Sequence, residues 1–148
     1  MTKQDFRLSI SAPVSAADAY RKIADVSAWW AKDFTGSARN LGDVFSVRFA
    51  GTAEDTTVDF KIAQAIPSSR IVWLVTNSYL PWLADKTEWN NTKVIFEVTP
   101  GDGETTVTMT HEGLVPDVEC YDGCVEGWTR HFGHSLKEFM TDGHGSPR

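Results

Sequence analysis

The chain has 148 residues, 41% of them hydrophobic and 23% charged, and a formal net charge of -6. That length suits one domain with a proper core, and the hydrophobic share is too high for a disordered segment. An acidic chain without a Lys/Arg cluster excludes a nucleic-acid interface or a surface for acidic membranes, since phosphates need clustered positive charge.

The N-terminus, Met1 to Asp5, lacks the apolar stretch of a signal peptide, and the apolar run Ile71 to Val75 is too short to cross a bilayer. The expectation is a cytoplasmic protein without membrane insertion. Cys120 and Cys124 are one helical turn apart. A disulfide there would tie a helix to itself and restrain almost nothing, so reduced thiols are expected.

Phe6, Leu8 and Ile10 alternate with Arg7, Ser9 and Ser11 as in a half-buried strand that Ala12-Pro13 ends. Ser15 begins a Ser-x-x-Asp capping pattern with Asp18, and a helix follows with Ala19, Tyr20 and Ile23 on its buried stripe. A short second helix is expected to carry Trp29 and Trp30. Beyond the breaks at Gly36 and Gly42, Phe45, Val47 and Phe49 share one side of a strand, and Ser46 and Arg48 the other. The same period places Val58, Phe60, Ile62, Gln64 and Ile66 together, and later Val94, Phe96 and Val98. One wet face per strand implies an antiparallel sheet. Pro67-Ser68-Ser69 turns into Ile71 to Val75, and Pro100-Gly101-Asp102-Gly103 is a hairpin turn into Thr105 to His111.

Between Thr76 and Asn91 lies an aperiodic segment carrying Tyr79, Leu80, Trp82, Leu83 and Trp89. Such a loop is a candidate gate, and its aromatic side a candidate homodimer surface. The last element is a helix from about Asp117 to Met140 that Asp142-Gly143 stops. At 100° per residue, Tyr121, Val125, Trp128, Phe132, Leu136 and Phe139 fall in an arc about 80° wide, the expected buried face. Gly123, Gly127 and Gly133 each cost this helix up to about 1 kcal/mol relative to Ala and leave room for something to come close. Residues 1–143 read as one domain and 144–148 as a disordered tail.

In this order the residues resemble the SRPBCC or START-like superfamily of helix-grip proteins, and within it the family named for the activator of the heat-shock-protein-ninety ATPase. The resemblance is carried by Ile10-Ser11-Ala12-Pro13-Val14-Ser15 with Trp29-Trp30, by Leu41-Gly42-Asp43-Val44-Phe45, and by Ile66-Pro67-Ser68-Ser69-Arg70-Ile71-Val72-Trp73. Thr110-His111-Glu112-Gly113-Leu114, Gly127-Trp128 and Ser135-Leu136-Lys137-Glu138-Phe139 complete it. It implies an α+β fold: a curved antiparallel sheet wrapped around a long C-terminal helix, two short helices after the first strand, and a cavity for hydrophobic small molecules. The superfamily spans lipid carriers, polyketide cyclases, hormone receptors and chaperone activators, so the fold does not choose among them.

The residues expected to line a cavity between sheet and helix are Trp30, Phe45, Phe60, Gln64, Trp73, Phe96, Met109, His111, Tyr121, Cys124, Trp128 and Phe132. Alternation turns Gln64 and His111 inward, where each needs a polar partner. His111 is the candidate acid or base; a hydrogen bond to nearby backbone is its plainer reading. Cys120, Cys124, His131 and His134 share a helix flank, but Cys120 and His131 are 11 residues apart. That is about 16 Å of helix, too far to share an ion, so neither a metal nor a cofactor is expected. Nucleophile-elbow, zinc-protease, P-loop and dinucleotide motifs are absent from the sequence. Three functions remain: binding of a hydrophobic or aromatic small molecule, a cyclase- or dehydratase-like reaction in the same cavity, and stimulation of a chaperone ATPase.

Overall fold

The computed structural model describes residues 4–51 and 53–148; Met1 to Lys3, the first part of the stretch read as lacking a signal peptide, and Thr52 lie outside the described residues. The first strand, β1 (Phe6–Ala12), leads through Ser15 into α1 (Ala16–Ala24) and α2 (Val26–Trp29). Ser15 caps as its pattern predicts, its hydroxyl accepting from the Asp18 amide at 3.1 Å. Then come β2 (Asp33–Gly36), β3 (Val44–Phe49), β4 (Thr56–Ile66), β5 (Arg70–Tyr79), β6 (Lys93–Pro100) and β7 (Thr105–Glu112). The C-terminal helix runs as α3 (Tyr121–Trp128), a π-helical stretch (Thr129–Leu136) and α4 (Lys137–Asp142).

Among the described residues the strands form one antiparallel sheet, ordered β1-β7-β6-β5-β4-β3-β2. Its concave face holds α1, α2 and the C-terminal helix, the helix-grip arrangement. The short β2 went unforeseen because Asp33-Phe34-Thr35-Gly36 offers only one apolar residue to a period-two pattern; pairing with β3 makes it a strand.

Two bulges explain where alternation fails. β4 carries an extra residue between Ile62, opposite Trp73, and Gln64, opposite Val72. A one-residue slip exchanges the two faces of a strand. Gln64, expected inward, is therefore exposed and accepts from Arg70 Nε at 2.7 Å, while Ile66 follows it outward at 45% exposure. A second irregularity inserts Thr76 into β5 opposite the Asp59/Phe60 step, which lets that strand continue to Tyr79 instead of ending at Val75.

The core is dense with aromatic rings. Trp73 packs edge-on to Phe45, Phe60 and Phe96, with centroids 5.0, 5.4 and 4.6 Å away, and stacks on Trp29 and Trp30 at 6.3 and 6.0 Å. Phe132, fully buried, comes down from the helix onto Phe96. Burying a large apolar side chain is worth about 1.5–3 kcal/mol. The space beneath the middle of the helix is therefore solid.

Every fourth helix residue from Cys124 through Trp128, Phe132, Leu136 and Met140 is buried, with His131 and Ser135 beside them. Strict α-helical spacing would walk such a row around the axis by roughly 40° per step. The π stretch, with its wider turn, holds it on one face. Tyr121, Val125 and Phe139, expected within the same buried arc, lie at the edges of that face, half-buried. Lys22 of α1 fixes the far end by donating to the Phe139 carbonyl at 3.2 Å while lying 4.6 Å over its ring.

Residues 146 and 148 of the tail bond back to the body of the domain. Arg148 N donates to the Trp30 carbonyl and Lys32 N to the Arg148 carbonyl, both at 2.9 Å. Ser135 Oγ donates to the Trp29 carbonyl and accepts from Ser146 N, both at 2.6 Å. Backbone groups left open after α2 provide this dock, a demand no local pattern in the tail reveals.

Candidate functional site

The hollow lies at one end of the helix rather than under its middle. It is a cleft of about 510 Å³ bounded by the end of β3 and the start of β4, by the 80–89 segment, and by α3 with the first π turn. Trp30, Phe49, Leu80, Trp82, Trp89 and Trp128 supply its apolar walls, and Glu54, His131 and Arg148 its ionisable groups.

Each wall has a reason to stand where it does. Trp128 lies between Trp30, 5.0 Å away, and Trp89, stacked at 6.0 Å. Its indole Nε1 donates to His111 Nδ1 at 3.1 Å. An indole nitrogen only donates, so Nδ1 is bare and the proton of a neutral ring sits on Nε2. There it donates to Thr92 Oγ1 at 2.9 Å, and Thr92 passes its own proton to the Trp89 carbonyl at 2.7 Å. Burial pushes the His111 pKa down to about 3, which keeps the ring neutral. Gly113 makes space for this chain: its φ is +104°, and a Cβ there would meet Thr92 Cγ2 at 2.7 Å.

His111 thus faces inward as predicted, yet it borders a separate void of about 10 Å³ and not the cleft. Both ring nitrogens are engaged, which leaves it without a proton to exchange with a guest. Its part is to hold Trp128 and Trp89 as parallel plates. Its partners are the side chains of Trp128 and Thr92, where the plainer reading expected backbone.

The floor is made by absence. A Cβ built on Gly123 or Gly127 would find nothing within 4 Å, whereas one on Gly133 would meet Leu8 Cδ2 at 3.3 Å. The first two glycines open into the cleft; the third lets the helix approach β1. Beside them Cys124 lines the cleft. Against the expectation of free thiols, Cys120 and Cys124 are joined, with Cα atoms 5.6 Å apart. One helical turn is within the reach of a disulfide, and Cys120 Sγ also accepts from Trp89 Nε1 at 3.2 Å.

The 80–89 segment is pinned, not loose. Glu88 accepts from the Glu119 and Cys120 amides at 2.7 and 3.1 Å just ahead of α3, and Glu119 in return accepts from the Ala84 and Asp85 amides. Lys86 Nζ donates to the Pro81 and Leu83 carbonyls. Leu83 and Trp89, expected on a dimer surface, are 4% and 8% exposed. Trp82 remains 57% exposed on the rim.

His131 is the polar group that sequence reasoning missed, having weighed it only as a metal ligand. It lines the cleft, packs near Phe49 with centroids 6.2 Å apart, and its Nδ1 is buried with no hydrogen-bond partner. Burial first, then the positive charges of Arg130 and Arg148, lower its pKa to about 4. Its signal was the spacing Gly123, Gly127, His131, a four-residue period that puts two gaps and one imidazole on one helix face. Of the twelve expected lining residues the structure brings Trp30, Cys124 and Trp128 to the cleft. Phe45, Phe60, Trp73, Phe96, Met109 and Phe132 are core, and Tyr121 is half-buried outside the lining. Among the described residues no group of three His, Cys, Asp or Glu side chains is arranged for a metal ion.

A grip of sheet on helix with an apolar cleft at the helix end defines a helix-grip protein of the SRPBCC, START-like class. The chain belongs to the family described as activator of Hsp90 ATPase homolog 1-like protein, whose model matches residues 18–141. It is similar to the solution structure of the Aha1 dimer from Colwellia psychrerythraea, with a TM-score of 0.72 and 20% identity over 96% of this chain and 99% of that one. It also resembles SSP2350 from Staphylococcus saprophyticus (TM-score 0.71, 15% identity, 97% of this chain and 96% of that one). DynU16, from the dynemicin biosynthetic locus, aligns with a TM-score of 0.69 and 17% identity over 97% of this chain and 51% of its own. These likenesses carry the fold. No curated protein matches the chain. Among the described residues no helix is long and apolar enough to cross a membrane.

Proposed function

We propose that the protein binds an apolar or aromatic small molecule in the cleft beside α3. The observation that carries this reading is the pairing of aromatic walls with a floor of two glycines whose missing side chains face open space. Roughly 300–1,000 Å³ is the usual size of a small-molecule site, and 510 Å³ falls within it. The helix forgoes stability at Gly123 and Gly127 to keep that volume empty.

The test is a panel of aromatics, fatty acids and polyketide-like compounds read by thermal melting and tryptophan fluorescence, since Trp30, Trp89 and Trp128 all border the cleft. A ligand at 100 times its Kd stabilises by about 2.7 kcal/mol. Unchanged melting and emission across the panel would refute the proposal.

The cyclase-like alternative requires a titratable group in contact with substrate. That role falls to His131 rather than His111, and turnover lost in His131→Phe but kept in His111→Gln would favour it. Chaperone activation enters through the family's name. A null pull-down against the host's chaperone at micromolar concentration would remove it.

A further inference from the structure

Four ionisable groups stand at or beside the cleft, and their arrangement chooses among apolar guests. His131 is 93% buried by its 7% exposure, and its Nδ1 is enclosed with no partner. An imidazole N–H is costly to leave unpaired, so the proton of the neutral ring belongs on the other nitrogen. Among the described residues Nε2 makes no hydrogen bond, and it is not among the buried unpaired atoms as Nδ1 is, so it is the nitrogen left to face the cleft that the residue lines. A fixed N–H donor therefore looks into an apolar space. Arg148 lines the same cleft, held there by the backbone bonds of its residue to Trp30 and Lys32. Arg130, the residue before His131 on the helix, is 3.6 Å from Glu126 and spends part of its charge there. The acidic group on the cleft, Glu54, already accepts from the Tyr79 hydroxyl.

Resting on the binding function proposed above, we infer that the cleft selects aromatic molecules bearing a carboxylate: the ring lies among Trp30, Trp89 and Trp128, and the carboxylate accepts from His131 Nε2–H beside the Arg148 guanidinium. A neutral hydrocarbon would fill the walls and leave the donor bare. A cationic guest would meet the Arg148 charge, and an N–H donor where it needs an acceptor.

The test compares 2-naphthoate with naphthalene by isothermal titration, on the whole chain, at low and at high salt. In the wild-type protein naphthoate binds about tenfold more tightly, the worth of a hydrogen bond to a charged acceptor. His131→Phe keeps the ring shape and lowers the ratio to about three, the share that Arg148 still supplies. His131→Gln retains an N–H donor and keeps most of the preference, which separates donation from packing. Arg148→Gln lowers naphthoate affinity about threefold and flattens its salt dependence. Equal binding of the two probes by the wild-type protein, a comparison that needs no variant, would overturn the inference while leaving the cleft as a binding site. The full tenfold preference surviving in His131→Phe would overturn it as well. Failure of both probes to bind at millimolar concentration would remove the binding reading and this inference with it.

Discussion

Replacing Gly127 tests whether the space in front of α3 is real and whether it holds the ligand. A glycine inside a helix costs roughly 0.5–1 kcal/mol relative to alanine, and a Cβ at residue 127 would meet nothing within 4 Å. Gly127→Ala should therefore stabilise the protein by roughly that amount. For a chain of 148 residues, 1 kcal/mol moves the melting temperature by about 2–4 °C. Gly133→Ala is the internal control. Its Cβ would lie 3.3 Å from Leu8 Cδ2, so the same propensity gain meets a crowded neighbour and shrinks. Gly127→Leu extends the substitution into the cleft; the fold should survive while naphthalene affinity falls tenfold or more. The assays are circular-dichroism melts and titration calorimetry. A Gly127→Ala protein that melts lower than wild type would show that the space is not there. A folded Gly127→Leu protein that binds unimpaired would place the ligand elsewhere.

The two buried histidines make stability depend on pH. The His111 pKa is about 3 folded against 6.5 in the unfolded chain, so below pH 6.5 the unfolded state takes up the proton and the folded state does not. Stability is full above pH 6.5 and falls with pH until the folded value is reached; from pH 7 to pH 5 His111 alone removes about 2 kcal/mol. His131, with its pKa lowered to about 4, acts in the same direction, and His111→Gln should flatten the melting-temperature profile in that window. His111→Leu strands the Trp128 indole N–H and should cost about 2–4 kcal/mol by denaturant titration; in a double-mutant cycle with Trp128→Phe the two losses should be less than additive. Glu88→Gln or Glu119→Gln weakens the reciprocal caps between the 80–89 segment and the start of α3, and faster amide exchange at Ala84, Asp85 and Cys120 is the expected readout. A homodimer through the 76–91 segment now rests on the exposed Trp82; if it forms, Trp82→Ser should shift the sedimentation coefficient to the monomer value.

The strands other than β2, the Ser15 cap, the helix that ends at Gly143 and the inward turn of His111 and Met109 were legible from period and end signals, because those features are local. The fold class followed from their order. What escaped was set by neighbours distant in sequence. Gln64 left the cavity because β4 and β5 pair with a bulge, and one added residue inverts a strand's faces. Phe45, Phe60, Trp73, Phe96 and Phe132 have the same composition whether they fill a core or line a hollow; only the rings opposite each of them make them core. His131 reached the cleft through the winding of a π stretch, and Arg148 through backbone bonds to Trp30 and Lys32. Sequence period thus determined which residues turn away from water, and tertiary packing decided where the inward-facing groups left a space, because a void is defined by the side chains that fail to meet.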